Sequence, residues 1–308
     1  MDRFPGDDIR RFTADRAYQM VSDRFRMAMR AAPLTAILAV PLAGCSALDS
    51  INPFGPGEKY ETKILAETPA NDIYDQGLAR LRKKDGPGAA KKFSELEKQY
   101  PFSDWSRKGL MMSTFAQYEA GDYDTAIASG KRFAQLYPNS PDAPYALYLE
   151  AMSYYQQIPD ISRDQQSSVQ ALDLFQQLVT KYPTSEYADD SKFKIQVTRD
   201  QLAGKEMSTG RFYLDRRNYT AAINRFREVL AKYQTTRHTE EALERLTEAY
   251  LALGITNEAQ TAAAVLGHNF PDSPWYKDAF ARLHADGLEP NEDQASWIFR
   301  TFHGLGLG

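Results

Sequence analysis

Ala222-Ile223-Asn224-Arg225-Phe226-Arg227-Glu228-Val229-Leu230-Ala231-Lys232-Tyr233 is the stretch whose reading decides the fold. Ala222, Phe226, Val229 and Tyr233 stand at offsets 0, 4, 7 and 11. At about 100° per residue these offsets fall within about 60° of arc, so the stretch is a helix with one narrow apolar stripe. The same offsets recur from Ala89 (Phe93, Leu96, Tyr100), Ala126 (Gly130, Phe133, Tyr137), Ala171 (Phe175, Leu178, Tyr182) and Ala259 (Ala263, Leu266, Phe270). One phase held five times is the signature of a repeat array, in which each unit buries its stripe against its neighbours. The small residue at offset 0 lets a paired helix approach closely, and the larger ones fill the groove beside it.

The flanks of each stripe set its limits. Pro101, Pro138, Pro183 and Pro271 follow four of the aromatics, with Gln234 after the fifth, and proline cannot continue a helix. Ser103, Ser140, Ser185, Thr236 and Ser273 come next, placed to cap the following helix. Gly121-Asp122-Tyr123 and Arg217-Asn218-Tyr219 mark turns inside two repeats, and the first helices of repeats three and five match as Ala146-Leu147 with Tyr154 and Ala242-Leu243 with Tyr250.

The aromatics are spaced 37, 45, 51 and 37 residues apart. Tetratricopeptide repeats run at about 34. The longer spacings predict a polar loop near Ile158–Asp164 and, after Pro183, either an extra helix or about 20 Å added to one helix. The fold read from this pattern is all-α, an α-solenoid of five tetratricopeptide-like helix pairs over residues 71–285. Repeats one to three occupy 71–183, and repeats four and five, with the extra helical segment, occupy 184–285. Residues 286–308 form a tail in which Glu289-Pro290 ends the last helix. The aromatic patch Trp297-Ile298-Phe299-Arg300-Thr301-Phe302 is either disordered or a docking peptide.

Ahead of the array, residues 31–44 are an uncharged apolar run directly after Arg30, too short for a membrane span and the right length for a secretory signal. The run ends in Leu42-Ala43-Gly44-Cys45, which looks like the lipobox of bacterial lipoproteins, with Cys45 the residue acylated before cleavage. Ser46, rather than Asp, follows the cysteine, and the resemblance to lipoproteins of this kind implies export onward to the outer membrane. Residues 1–44 are thus an N-terminal extension and lipoprotein signal peptide, and 45–70, rich in Pro and Gly, an acylated flexible tether. Residues 1–26 mix six Arg with five Asp, which suits a signal poorly; the start is expected at Met27 or Met29, with an extended n-region as the alternative.

Composition narrows the function. Hydrophobic residues make up 43% of the chain, charged residues 25%, and the net charge is −4. The seven Arg and five Asp of residues 1–44 leave the remainder more acidic than the whole, against a nucleic-acid partner. The one cysteine allows no internal disulfide. His238, His268, His284 and His303 lack metal-ligand spacing. Ser129-Gly130-Lys131 is no phosphate loop, since Thr125 stands where its first glycine belongs and Arg132 replaces the Ser/Thr. Neither an enzyme nor a cofactor or metal is expected.

Asn71-Asp72-Ile73-Tyr74, Tyr100-Pro101-Phe102 and Tyr219 through Asn224-Arg225, with the lipobox, resemble the BamD family of tetratricopeptide lipoproteins of the β-barrel assembly machinery. The resemblance covers the lipobox and residues 71–271; the tail from 286 departs from it. It implies a lipid-anchored scaffold beneath the outer membrane, facing the periplasm. Such a scaffold binds the POTRA region of the barrel subunit BamA, works with other lipoproteins of the complex, and helps recognise and insert unfolded outer-membrane proteins. The alternatives are another envelope repeat lipoprotein, organising peptidoglycan synthesis or pilus and secretin assembly, and, further off, a periplasmic hydrolase. The resemblance also implies that Asn224 and Arg225 lie at the BamA interface. Relative to Ala222, Asn224 lies about 200° round the helix, away from the stripe, and Arg225 about 300° round, on its shoulder. That leaves Arg225 a guanidinium for a partner carboxylate or, alternatively, for a local ion pair with Glu228.

Overall fold

A computed structural model describes residues 68–303, and every regular element among them is helical. Five helix pairs follow in order: α1 (Ala70–Arg82) with α2 (Gly86–Gln99), α3 (Asp104–Glu119) with α4 (Tyr123–Leu136), α5 (Ala143–Gln156) with α6 (Gln166–Lys181), α7 (Ala188–Asp215) with α8 (Tyr219–Lys232), and α9 (Thr239–Ala252) with α10 (Thr256–Asn269). Then come α11 (Pro274–Ala285) and the short α12 (Trp297–His303). From α1 to α10 each helix packs on the next.

The repeated stripe is the core. Ala89, Ala126, Ala171, Ala222 and Ala259 are fully buried, as are Phe93, Phe175, Phe226 and Ala263 at offset 4 and all five residues at offset 7. Burying one such phenylalanine contributes roughly 1.5–3 kcal/mol. In repeats one and four a glycine on the first helix adds to the close approach. A Cβ on Gly77 would run into the Phe93 ring, and one on Gly210 into the ring of Phe226. The closing aromatics become the C-caps of the second helices.

Four of the five turns within pairs share one geometry. Lys84, Gly121, Arg217 and Gly254 adopt φ between 59° and 76°, and each is followed by a residue whose N–H reaches back to the carbonyl five positions earlier. This is the Schellman ending, which asks for a left-handed residue. Gly287 repeats it after α11, so Gly287, and not Glu289-Pro290, closes that helix. Asp85, Asp122 and Asn218 then cap the second helices through their side chains.

The capping expectation between repeats holds at two sites. Ser103 and Ser273 accept from backbone N–H groups at the starts of α3 and α11. Ser140, Ser185 and Thr236 sit two residues before the helix ends, at Asp142, Tyr187 and His238. There the chain makes a further turn, with the N–H of each of the three bonded to the carbonyl of the closing tyrosine.

Both spacing anomalies have simple sources. The 45-residue step holds the loop from Gln157 to Gln165, and the 51-residue step goes into α7, which has 28 residues against 14 for α8. The surplus adds about 20 Å of helix. The first half of α7 packs Ala188 and Ile195 into the core of repeat three, and the second half packs Ala203, Met207 and Leu214 into that of repeats four and five.

After Gly287 the tail turns back over its own chain. Residues Asn291 and Asp293 bond to Gln260 and Thr261 of α10, and α12 lies on α10 and α8 with Ile298 and Phe302 buried. The aromatic patch docks, and its receptor is this chain's own last two repeats.

Candidate partner interface

Helix α8 carries the expected contact residues, and its exposed face has two sides. Asn224 and Arg225 are both exposed but look toward different surroundings. Arg225 leans toward α7 and donates to the Glu206 carboxylate at 3.2 Å. Its guanidinium is therefore not free, and its local partner is not Glu228, which is paired with Lys232 at 2.9 Å. The Arg225 side chain is 45% exposed. An ion pair so open to water is worth about 0–1 kcal/mol, so a partner carboxylate could displace Glu206 at small cost.

Asn224 looks the other way. With Arg227, Glu228 and Ala231 it lines one wall of an open cleft whose other wall is Trp297 and Thr301 of α12. The Arg227 guanidinium lies over the Trp297 ring, 4.5 Å from its centroid. Trp297 is fixed by its indole N–H, which donates to the Tyr250 hydroxyl at 3.1 Å. Burial pushes the Tyr250 hydroxyl above its ordinary pKa, with the Trp297 bond opposing, so it stays a neutral phenol able to accept. Sequence reasoning placed Asn224 on the exposed face and missed Arg227 and Trp297. The two are 70 residues apart in the chain, and the only signal was a Trp in an apolar tail and an Arg at 140° on the wheel.

Beside this face the seam from α7 through α9 to α11 is ionic. Arg211 grips both oxygens of Glu241 at 2.9 and 2.8 Å. Arg282 of α11 donates to Glu244 at 2.9 Å, and Arg245 reaches Glu244 at 3.3 Å and Glu248 at 2.8 Å. Glu244 is almost wholly buried, and that burial raises its pKa against the pull of Arg245 and Arg282.

Cys45 lies outside the described residues. Among the described residues no helix is long and apolar enough to cross a membrane, and no group of three or more His, Cys, Asp or Glu is placed to hold a metal ion.

A family model described as an outer membrane lipoprotein, YfiO, matches residues 66–266. The outer membrane protein assembly factor BamD of Caulobacter vibrioides is 43% identical over 254 residues, covering 82% of this chain and 80% of that protein. The chain belongs to the BamD family. The BamD of Rickettsia prowazekii is 38% identical over 79% of this chain and 92% of its own length. Among solved structures, the TPR2AB-domain:pHSP90 complex of yeast Sti1 overlays at a TM-score of 0.36 and 12% identity, covering 71% of this chain and 84% of that one. Membership in the BamD family associates the chain with the outer membrane and with assembly of its proteins. The relatives are named as assembly factors and not as enzymes. The match to the family model ends within α10, before α11 and α12.

Proposed function

We propose that this BamD family member is a scaffold of the β-barrel assembly complex, held on the periplasmic face of the outer membrane by acyl chains on Cys45. Through the exposed face of α8 it binds the POTRA region of the barrel subunit BamA, and with the other lipoproteins of the complex it helps recognise and insert unfolded outer-membrane proteins. The observation that carries this reading is the setting of Asn224 and Arg225. Both are exposed on a rigid helix whose opposite side is fully buried, and Arg225 is held only by a solvated ion pair. A bidentate guanidinium suits a partner carboxylate better than a lysine would.

The experiment is co-purification of BamA with the tagged chain. Arg225→Glu also places a second carboxylate beside Glu206, so binding should fall by about 2 kcal/mol or more, roughly thirtyfold, with the fold intact. An acidic-to-basic change on BamA should restore it. Full recovery of BamA with a folded Arg225→Glu variant removes the contact. For the anchor, two or more acyl chains hold a protein on a bilayer whereas one does not. Cys45→Ser should leave the chain unprocessed or free in the periplasm, and its fractionation with the outer membrane like wild type would refute acylation there.

A further inference from the structure

We infer that the cleft between α8 and α12 is a second contact site for the same partner region, built to take an acidic side chain on Arg227. The inference rests on the binding reading above and adds a residue, a platform and a ligand chemistry to it.

The argument starts from Arg227. It is exposed, and no carboxylate among the described residues pairs with it. Glu228, the acid on its wall of the cleft, is committed to Lys232, and on the flanking helices Glu206 is committed to Arg225 and Glu258 to the Ser296 hydroxyl at 2.7 Å. What Arg227 does have is a surface to lie on. Stacking on the indole face holds the guanidinium plane while its N–H edge stays open to the cleft. A long, flexible side chain is thereby ordered before any ligand arrives, which removes part of the entropic cost of binding.

The tail is what makes this platform. Ile298 and Phe302 are buried beneath α12, Trp297 is tied to Tyr250, and the Thr301 hydroxyl is tied back to the Trp297 carbonyl at 2.7 Å. With Asn224 on the same wall, the cleft offers a guanidinium and an amide as donors, while its one acidic group, Glu228, is already paired. The complementary ligand is an acceptor with one negative charge. A carboxylate fits the planar fork, whereas a phosphate dianion would meet a single arginine with Glu228 alongside. The cleft is open and flanked by exposed Asn224, which suits a side chain presented by a folded protein surface. Arg225 and Arg227 then give the partner two cationic points on opposite sides of one helix face.

The test is titration of the full chain with the POTRA region of BamA, comparing wild type, Arg227→Glu, Arg227→Gln and Trp297→Ala, with thermal midpoints measured alongside. We expect Arg227→Glu to weaken binding at least tenfold and Arg227→Gln several-fold, both with the wild-type midpoint, and an acidic-to-lysine change on the POTRA region to rescue Arg227→Glu. Trp297→Ala should weaken binding with the Arg227 side chain intact, because the platform is lost. If wild type binds and both Arg227 variants bind within twofold of it, the cleft site is wrong while the scaffold reading stands. If the POTRA region fails to bind wild type, the scaffold reading falls and takes this inference with it.

Discussion

Repeats three and five use different chemistry at the same two positions of their first helices. Counted from the closing aromatic of the preceding repeat, Tyr137 or Tyr233, offsets 8 and 11 are Tyr145 and Tyr148 in one and Glu241 and Glu244 in the other. Tyr145 faces Phe115 of the preceding repeat at 6.4 Å, and both tyrosines stack on Tyr187 at 5.0 Å. In repeat five Glu241 instead accepts at both oxygens from Nη1 of Arg211, and Glu244 meets Arg282 and Arg245. Phe115 and Arg211 are themselves equivalent, each six residues before the left-handed residue that ends its helix, Gly121 or Arg217. One backbone seam is therefore joined by rings near the middle of the array and by ions near its end, above a buried stripe that does not change. The stripe defines the solenoid, and the seam is where the repeats differ.

The largest effect should come from breaking what the two regions share. Ala171 and Ala222 are both fully buried at offset 0. An arginine at either place buries a charge without a partner and should cost several kcal/mol. Both variants should melt far below wild type, whichever seam lies above them. A midpoint equal to wild type for either one would show that the stripe is not a common frame.

That frame was legible in the sequence because it depends only on spacing within one helix. The five alanines, the three phenylalanines at offset 4 and the large apolar residue at offset 7 of every repeat are buried as read, and the surplus after Pro183 took the second of its two expected forms, one longer helix. The seams were not legible. Arg211 and Glu241 are 30 residues apart and Arg282 and Glu244 are 38 apart, so no local pattern pairs them, although a search for opposite charges one repeat apart would have found both. The turn at Lys84 escaped because its Schellman bonds form without the glycine that usually announces them, whereas the turn at Arg217, equally without glycine, was marked by Asn218-Tyr219 after it. Arg225 was placed correctly on its helix, but its partner Glu206 sits on α7, beyond the reach of a wheel drawn for α8 alone.

A sharper contrast lies in pH. Glu150 of α5, only 7% exposed, is pushed up to about 7 by burial, with Lys131 pulling weakly the other way. Below its ordinary value of 4.5 both folded and unfolded chains hold the proton, and the group has no net effect. Between 4.5 and about 7 the unfolded chain ionises first, and above 7 the folded chain carries the full burden of a buried charge. Stability of this region should therefore fall as pH rises from 5 to 8, by up to about 3 kcal/mol. Glu150→Gln should raise the thermal midpoint at pH 8 and flatten its pH dependence. Glu244 is also raised by burial, but two arginines oppose it, so Glu244→Gln should lower the midpoint instead. Equal responses of the two variants at pH 8 would erase the distinction between an unpaired and a paired buried glutamate.

The smallest expected effect is the most direct test of equivalence. If Phe115–Tyr145 and Arg211–Glu241 are two solutions for one seam, the first can be transplanted onto the second as Arg211→Phe with Glu241→Tyr. Each single change should be worse than the pair. Arg211→Phe leaves Glu241, whose side chain is 13% exposed, with only the distant Arg245 at 3.7 Å, and Glu241→Tyr leaves Arg211 without its carboxylate. Removing one partner of a shielded ion pair costs more than removing both, because the survivor keeps its desolvation penalty. The double variant instead places a ring pair where the other seam has one, worth about 0.5–1.5 kcal/mol beyond burial. Its stability should return to within about 1 kcal/mol of wild type. Its midpoint should also depend less on salt than the wild-type midpoint does, since a screened interaction has been exchanged for an unscreened one. A double variant as unstable as the two single losses added together would mean that the seams only look equivalent, and that the ionic seam depends on the whole Glu241–Glu244–Glu248 cluster with its three arginines.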